Sequence, residues 1–245
     1  MTHDCRFKSR ATCHMTSGLL KVAKLHLFCY NIYIRKEKEG DNMAIFYIAD
    51  THFGHENIIR FDNRPFANVE MMKNDMIERW NKKVDKNDTV YILGDFCWKN
   101  VNPLEMGAEL NGRKVLITGN HDRELSKQTR GLGGFIRQEK ILEIKDNGRH
   151  VILCHYPLPF YRSAYNEDFW MLYGHVHGTI EEDHLRRLRK EVINVAHDAP
   201  GRATGQFMNV GCMMPWMDYT PRTLDEIIEA WKIRYEVKPA RYKEV

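Results

Sequence analysis

The chain has 245 residues, 43% of them hydrophobic and 29% charged, the proportions of an ordinary globular protein, which excludes a fibrous or disordered class and leaves little room for two full domains. The net charge of +4 sits in residues 1–42, with 8 Lys+Arg against 4 Asp+Glu, while residues 43–245 carry 29 of each sign; nucleic acid is not indicated as a partner. Six cysteines, at 5, 13, 29, 97, 154 and 212, make no CxxC pair and follow no recognisable secretory cleavage signal, so a reducing cytoplasm is expected.

Residues 1–42 show no clear hydrophobic period and close in a charged run from Arg35 to Asn42. The apolar stretch Leu19 to Ile34 is broken by Lys21, Lys24, His26 and Asn31 and is too short and too polar to span a bilayer, so no membrane partner is expected. The character of the chain changes at Met43. Ala44 to Ala49 reads as a first buried strand, and the Lys-Glu-Gly stretch ahead of it is what translation through a purine-rich ribosome-binding site yields. Met43 is therefore expected to be the natural start of one domain over 43–245, with 1–42 a non-native or disordered extension. A genuine, weakly structured arm is the alternative.

Val69 to Val84 places Met72, Met76, Ile77 and Trp80 at helical spacing between charged residues, predicting an amphipathic helix whose apolar stripe is core. Four further apolar runs read as strands ending in turns: Thr89–Leu93 before Gly94-Asp95, Lys114–Thr118 before Gly119-Asn120, Val151–Cys154 before His155, and Trp170–Tyr173 before Gly174-His175. With the strand before Asp50, five apolar strands thus deliver metal-binding residue types at their C-terminal ends, where open α/β sheets place ligands. Glu181 to Gly205 reads as a long charged excursion carrying His184, His197, Asp198 and Pro200, followed by a last strand at Phe207–Val210. Thr223 and Glu226 form a capping box opening a final helix through about Tyr235, with Leu224, Ile227, Ile228 and Trp231 on its apolar face and a charged tail beyond.

Each strand-end element taken singly is ambiguous. Asp50-Thr51-His52 puts a carboxylate and an imidazole on one side of extended backbone, able to clasp a cation, yet it reads equally as a turn Asp with a surface His. Asp95 can bridge two cations or cap a helix; His155 alone is more often a satisfied core histidine. Gly119-Asn120-His121-Asp122 offers an amide, an imidazole and a carboxylate in succession, and His175-Val176-His177 repeats the same-face spacing with two imidazoles. All five together, each following an apolar run, leave coincidence a poor explanation. Cys97, Cys154 and Cys212 lie near these motifs but read as small buried hydrophobes.

In order and spacing, Asp50-x-His52, Gly94-Asp95, Gly119-Asn120-His121-Asp122, His155 and Gly174-His175-x-His177 resemble the calcineurin-like metallophosphoesterases. The wider run from Phe46 to Phe66, Asn209-Val210-Gly211 and Pro221 to Ile227 look like the small bacterial and phage members of that superfamily, and the likeness extends over most of 43–235. The resemblance implies an α/β four-layer sandwich, two central β-sheets flanked by helices. It also implies two divalent cations, one on Asp50, His52, Asp95 and His177 and one on Asp95, Asn120, His155 and His175, with His121 touching the phosphate and protonating the leaving oxygen and Asp122 orienting it. Such a pair of cations acidifies a water to hydroxide and clamps the phosphoryl oxygens. The nitrogen and oxygen donors suit Mn, favoured here, or Fe, Zn or Ni.

His55, Arg60, Asn63 and Arg64 are candidates for a substrate rim, because an Arg fork matches a phosphate oxygen; ordinary surface salt bridges are the competing reading. The expected activity is hydrolysis of a small phosphodiester, phosphomonoester or nucleotide. The alternatives are a nuclease or phosphoprotein phosphatase, which would call for a basic or extended groove, and a non-catalytic scaffold, against which the complete ligand set and His121 both speak. Oligomeric state is not legible.

Overall fold

The computed structural model of the protein describes residues 43–125, 130–196 and 206–235. The expectations for residues 1–42, for His197, Asp198 and Pro200 and for the charged tail fall outside the described residues, as does the side chain of Trp231.

Among the described residues, eight strands form two four-stranded sheets. In the first, β1 (Ile45–Ile48), β2 (Thr89–Ile92), β3 (Arg113–Ile117) and β4 (Phe135–Glu139) lie in that order, all parallel. In the second, β5 (Ile141–Asp146) runs antiparallel to β6 (Arg149–Cys154), which is followed in parallel by β7 (Phe169–Tyr173) and β8 (Phe207–Asn209). The helices are α1 (Glu56–Phe61), α2 (Val69–Lys83), α3 (Pro103–Ala108), α4 (Ile180–Ala196) and α5 (Leu224–Tyr235).

Alternation along the second sheet builds the layers. Val151, Leu153, Leu172 and Met208 share one core with β1–β3, while Ile152, Met171, Tyr173 and Phe207 turn the other way, against Leu185 and Leu188 of α4. Met72, Met76 and Trp80 of α2 join the shared core, so the predicted stripe is core. Asn68 caps that helix by accepting the amide of Met71 at 2.8 Å. The two-sheet α/β sandwich expected from the sequence is thus present.

The segment after β8 ties the sheets together beside their C-terminal ends. Ala49 donates to the Val210 carbonyl and accepts from Cys212, both at 2.8 Å. The predicted excursion from Glu181 is corrected in its first half: 180–196 is helix α4, and its charge pattern hides Glu182 and Arg189, both buried. The edge strands β4 and β5 escaped sequence reading because they bury few apolar groups, leaving Ile136 and Ile141 exposed.

Two predictions follow from local chemistry. Thr223 and Glu226 cap α5 reciprocally, Thr223 N–H reaching Glu226 Oε2 at 3.0 Å and Glu226 N–H reaching Thr223 Oγ1 at 3.3 Å. Thr223→Ala is expected to lower stability by about 1 kcal/mol in urea unfolding, and no change in midpoint would contradict this. Lys114 is buried, its Nζ donating to the carbonyls of Leu110 at 2.6 Å and Gly112 at 2.9 Å. Burial pulls its pKa down to about 8 from 10.5, so between those values the unfolded chain holds a proton that the folded chain has released, and stability rises with pH. Compared with Lys114→Met, the wild-type chain should gain stability from pH 8 to 10.5 and show no such relative gain below that window.

Candidate metal centre

Every predicted ligand lies just past the C-terminal end of a strand, but the backbone differs from the expected extended alternation. Asp50, His52, Asp95, His175 and His177 all have positive φ, at 55°, 50°, 52°, 70° and 49°. Left-handed backbone is uncommon for such residues, and here two turns hold each other in it: Asp50 N–H donates to Gly94 O at 3.0 Å, His52 to Asp95 O at 2.9 Å and Phe53 to Phe96 O at 3.0 Å. The correction matters for His175 and His177, whose rings diverge. His177 turns toward Asp50 and His52, whereas the His175 ring lies 5.0 Å from that of His155 and 4.6 Å from that of Tyr156.

Two glycines open the space. Gly94 has φ +84°, and a Cβ there would lie 2.3 Å from His155 Nδ1; a Cβ on Gly119 would lie 2.4 Å from Asp95 Oδ1. Any side chain at either position displaces a ligand.

Donor atoms of Asp50, His52, Asp95 and His177 all lie within 4.8 Å of one another. His52 Nε2 is 3.6 Å from Asp95 Oδ2 and 3.3 Å from His177 Nε2, which is 3.8 Å from Asp50 Oδ1. On the other side of Asp95, His155 Nε2 is 3.6 Å from Oδ2 and 3.1 Å from Asn120 Oδ1.

The chemistry of these donors fits a cation. His155 Nδ1 donates to the Leu93 carbonyl at 2.8 Å, which turns Nε2 toward two oxygens, those of Asn120 and Asp95. Burial keeps His52 neutral, and its Nδ1 is buried without a hydrogen-bond partner. Burial also pushes the Asp50 carboxyl up to about 6, against the pull of His177 and His155. Burial opposes protonation of His177, but its bond to Asp62 and the charges of Asp50 and Asp62 raise its pKa overall, so protons compete with a cation for Nε2.

His121 is partly open, its side chain 34% exposed and its Nε2 3.9 Å from Asp95 Oδ2. Its backbone N–H donates to Asp95 Oδ1 at 2.9 Å, and its ring packs 4.9 Å from that of Trp98. Asp122 does not orient it. Both Asp122 oxygens are taken by backbone amides, Oδ2 by Asp95 and Gly119 at 2.8 Å and Oδ1 by Phe96 at 2.9 Å, so this carboxylate shapes the Asp95 turn instead.

The proposed substrate rim is corrected in two of its four members. Arg64 is buried and donates to Asp50 O at 2.9 Å and Thr51 O at 3.0 Å, with Asp62 taking the rest of its fork. His55 is also buried, stacked on Trp98 at 3.7 Å and 6°. Arg60 and Asn63 are exposed, Arg60 over the Phe61 ring at 5.4 Å and Asn63 in a left-handed turn; His184 is exposed on α4. Cys97, Cys154 and Cys212 are free and buried.

Sequence reading missed Asp62 and Trp98. Asp62 accepts from His177 Nδ1 at 2.7 Å, a contact across 115 residues that no local pattern announces. Its nearness to Arg64 in the sequence was the available signal.

The profile of the calcineurin-like phosphoesterase superfamily domain matches residues 43–223. An uncharacterized protein of Methanocaldococcus jannaschii is 38% identical over 156 residues, covering 62% of this chain and 80% of its own length. The Gene 66 protein of Mycobacterium phage L5 is 27% identical over 183 residues, covering 64% and 87%. Among solved structures, a protein of unknown function from Aquifex aeolicus superposes with a TM-score of 0.53 at 26% identity, covering 77% of this chain and 99% of that one. The chain belongs to the calcineurin-like phosphoesterase superfamily.

Proposed function

We propose that the chain is a two-cation phosphoesterase that hydrolyses a phosphodiester or phosphomonoester of a small molecule or nucleotide. Asp50, His52, Asp95 and His177 would hold one cation, and Asp95, Asn120, His155 and His175 the other. The observation that carries this reading is the position of Asp95 Oδ2, 3.6 Å from an imidazole nitrogen of each set. Two divalent ions held by these residues would supply an acidified water near neutral pH and would neutralise phosphoryl charge.

The chain's own residues supply the rest. His121 is open to solvent on one side and anchored through its N–H on the other, which suits a group that binds a phosphoryl oxygen and gives the leaving oxygen its proton. Asp122 holds the turn from which Asp95 projects. A donor set of nitrogen and oxygen without thiolate supports Mn, with Fe, Zn or Ni as alternatives. The even charge of residues 43–245 supports a small phosphorylated substrate over nucleic acid. No helix among the described residues is long and apolar enough to cross a membrane, and the three free buried thiols support a cytoplasmic setting.

The reading is tested with metal-reconstituted protein against bis-aryl and mono-aryl phosphates, nucleotides, cyclic nucleotides and single-stranded DNA. Turnover of small esters is expected; turnover confined to DNA would favour a nuclease, and none with any metal would favour a scaffold. His121→Ala should slow turnover by roughly 10²- to 10⁴-fold with metal content nearly intact by elemental analysis. Asp95→Asn should lose both activity and bound metal, because one carboxylate serves both sets. Full activity in either variant would overturn its assigned role.

A further inference from the structure

Asp62 and Arg64 reach the site from the turn between α1 and α2, outside the strand-end turns. Asp62 Oδ1 accepts from His177 Nδ1 at 2.7 Å, and Oδ2 accepts from Arg64 Nε at 3.0 Å and Nη2 at 2.8 Å. The same guanidinium donates from Nη2 to Asp50 O at 2.9 Å and from Nη1 to Thr51 O at 3.0 Å, with Met72 Sδ at 3.6 Å. Both side chains are buried, at 0% exposure for Arg64 and 6% for Asp62. One buried ion pair therefore connects the left-handed turn carrying Asp50 and His52 to the far side of the His177 ring.

We propose that Asp62 and Arg64 are a positioning pair for the first ligand set, acting on His177 and on the Asp50 turn; the inference rests on the two-cation reading above. The Asp62 bond fixes a proton on His177 Nδ1 and so leaves Nε2 as the donor, with the ring angle determined by the same contact. Arg64 fixes the carboxylate that does this, and its planar fork reaches two carbonyls of the opposing turn at once, which a lysine cannot reproduce. The pair is internally neutral. It contributes orientation to the site while leaving the ligand charge to Asp50 and Asp95.

The second set touches the first through the His175 N–H, which donates to both Asp50 oxygens at 3.1 Å, but its other members have supports of their own. His155 is braced by the Leu93 carbonyl at 2.8 Å, and the Asp95 turn by Asp122. None of the hydrogen bonds of Asp62 and Arg64 reaches Asn120, His155 or His175. His177 and His155 thus have different outer partners, a side-chain ion pair for one and a backbone carbonyl for the other, so the two cations would be held through different groups. Loss of an outer partner of a ligating histidine typically costs about 10- to 100-fold in metal affinity, and here that loss should fall on one ion.

The test is calorimetric titration of the metal-stripped full chain with Mn²⁺. Wild type is expected to bind two ions. In Asp62→Asn one ion should weaken by about 10- to 100-fold while the other keeps its wild-type affinity, and Arg64→Lys should weaken the same single ion. Asp62→Asn strands a buried Arg charge and can unfold the chain, so Asp62→Asn/Arg64→Gln, which removes both charges, is titrated alongside it with circular dichroism as the folding check. The double variant should show the same one-ion loss. A folded variant that binds both ions as wild type does, or weakens both equally, overturns the pair's role. A wild-type chain that binds fewer than two ions instead overturns the two-cation reading and takes this inference with it, a failure distinct from the first.

Discussion

A single carboxylate oxygen faces three imidazoles. Asp95 Oδ2 lies 3.6 Å from Nε2 of His52, 3.6 Å from Nε2 of His155 and 3.9 Å from Nε2 of His121, while Oδ1 accepts the His121 backbone amide. The surrounding structure keeps that carboxylate in place with little exposure to water. Asp122 gathers the amides of Asp95, Phe96 and Gly119, Gly119 leaves room beside Oδ1, and Gly94 lets His155 close against the turn from behind. A buried carboxylate is costly unless a positive charge completes it, so the same burial that shields Asp95 from water suits its turn to a cation.

Much of this was legible in the sequence because strands end abruptly. An apolar run that stops at Asp, Asn or His, in three of the five cases after a glycine, marks both a strand terminus and a polar group held there, and the five such termini are the five that converge. The capping box at Thr223 was equally plain, since it depends on residues only three apart. What the sequence could not show was backbone handedness. The two-residue spacing of Asp50 and His52, and of His175 and His177, suggests alternation, but positive φ at all four replaces it and sends His175 and His177 to different halves of the site.

Long-range polar contacts were hidden for a related reason. Arg64 resembles a phosphate-binding arginine in a polar turn, and only the fold shows its fork spent on two carbonyls and a carboxylate. Asp122 beside His121 suggests a dyad, yet the amides of a turn reached through the sheet claim it first. Helix α4 was obscured because its buried Glu182 answers Tyr173 and Asn209, so a charge that looked solvated is part of the interior.

The short backbone ladder joining Ala49 to Val210 and Cys212 bears on the order in which the protein assembles. Cys212 also donates its Sγ–H to the carbonyl of Asp50, a contact between residues 162 apart in the chain. During synthesis Asp50 emerges long before Cys212, so this contact of its turn, unlike those to Gly94 and Asp95, has to wait for a residue made 162 positions later. Closing so long a loop is entropically slow, and it can be repaid only when the second sheet is already in place. The frame around Asp50 is therefore complete only when residues 162 apart have met, although every histidine and carboxylate it gathers precedes Cys212 in the chain.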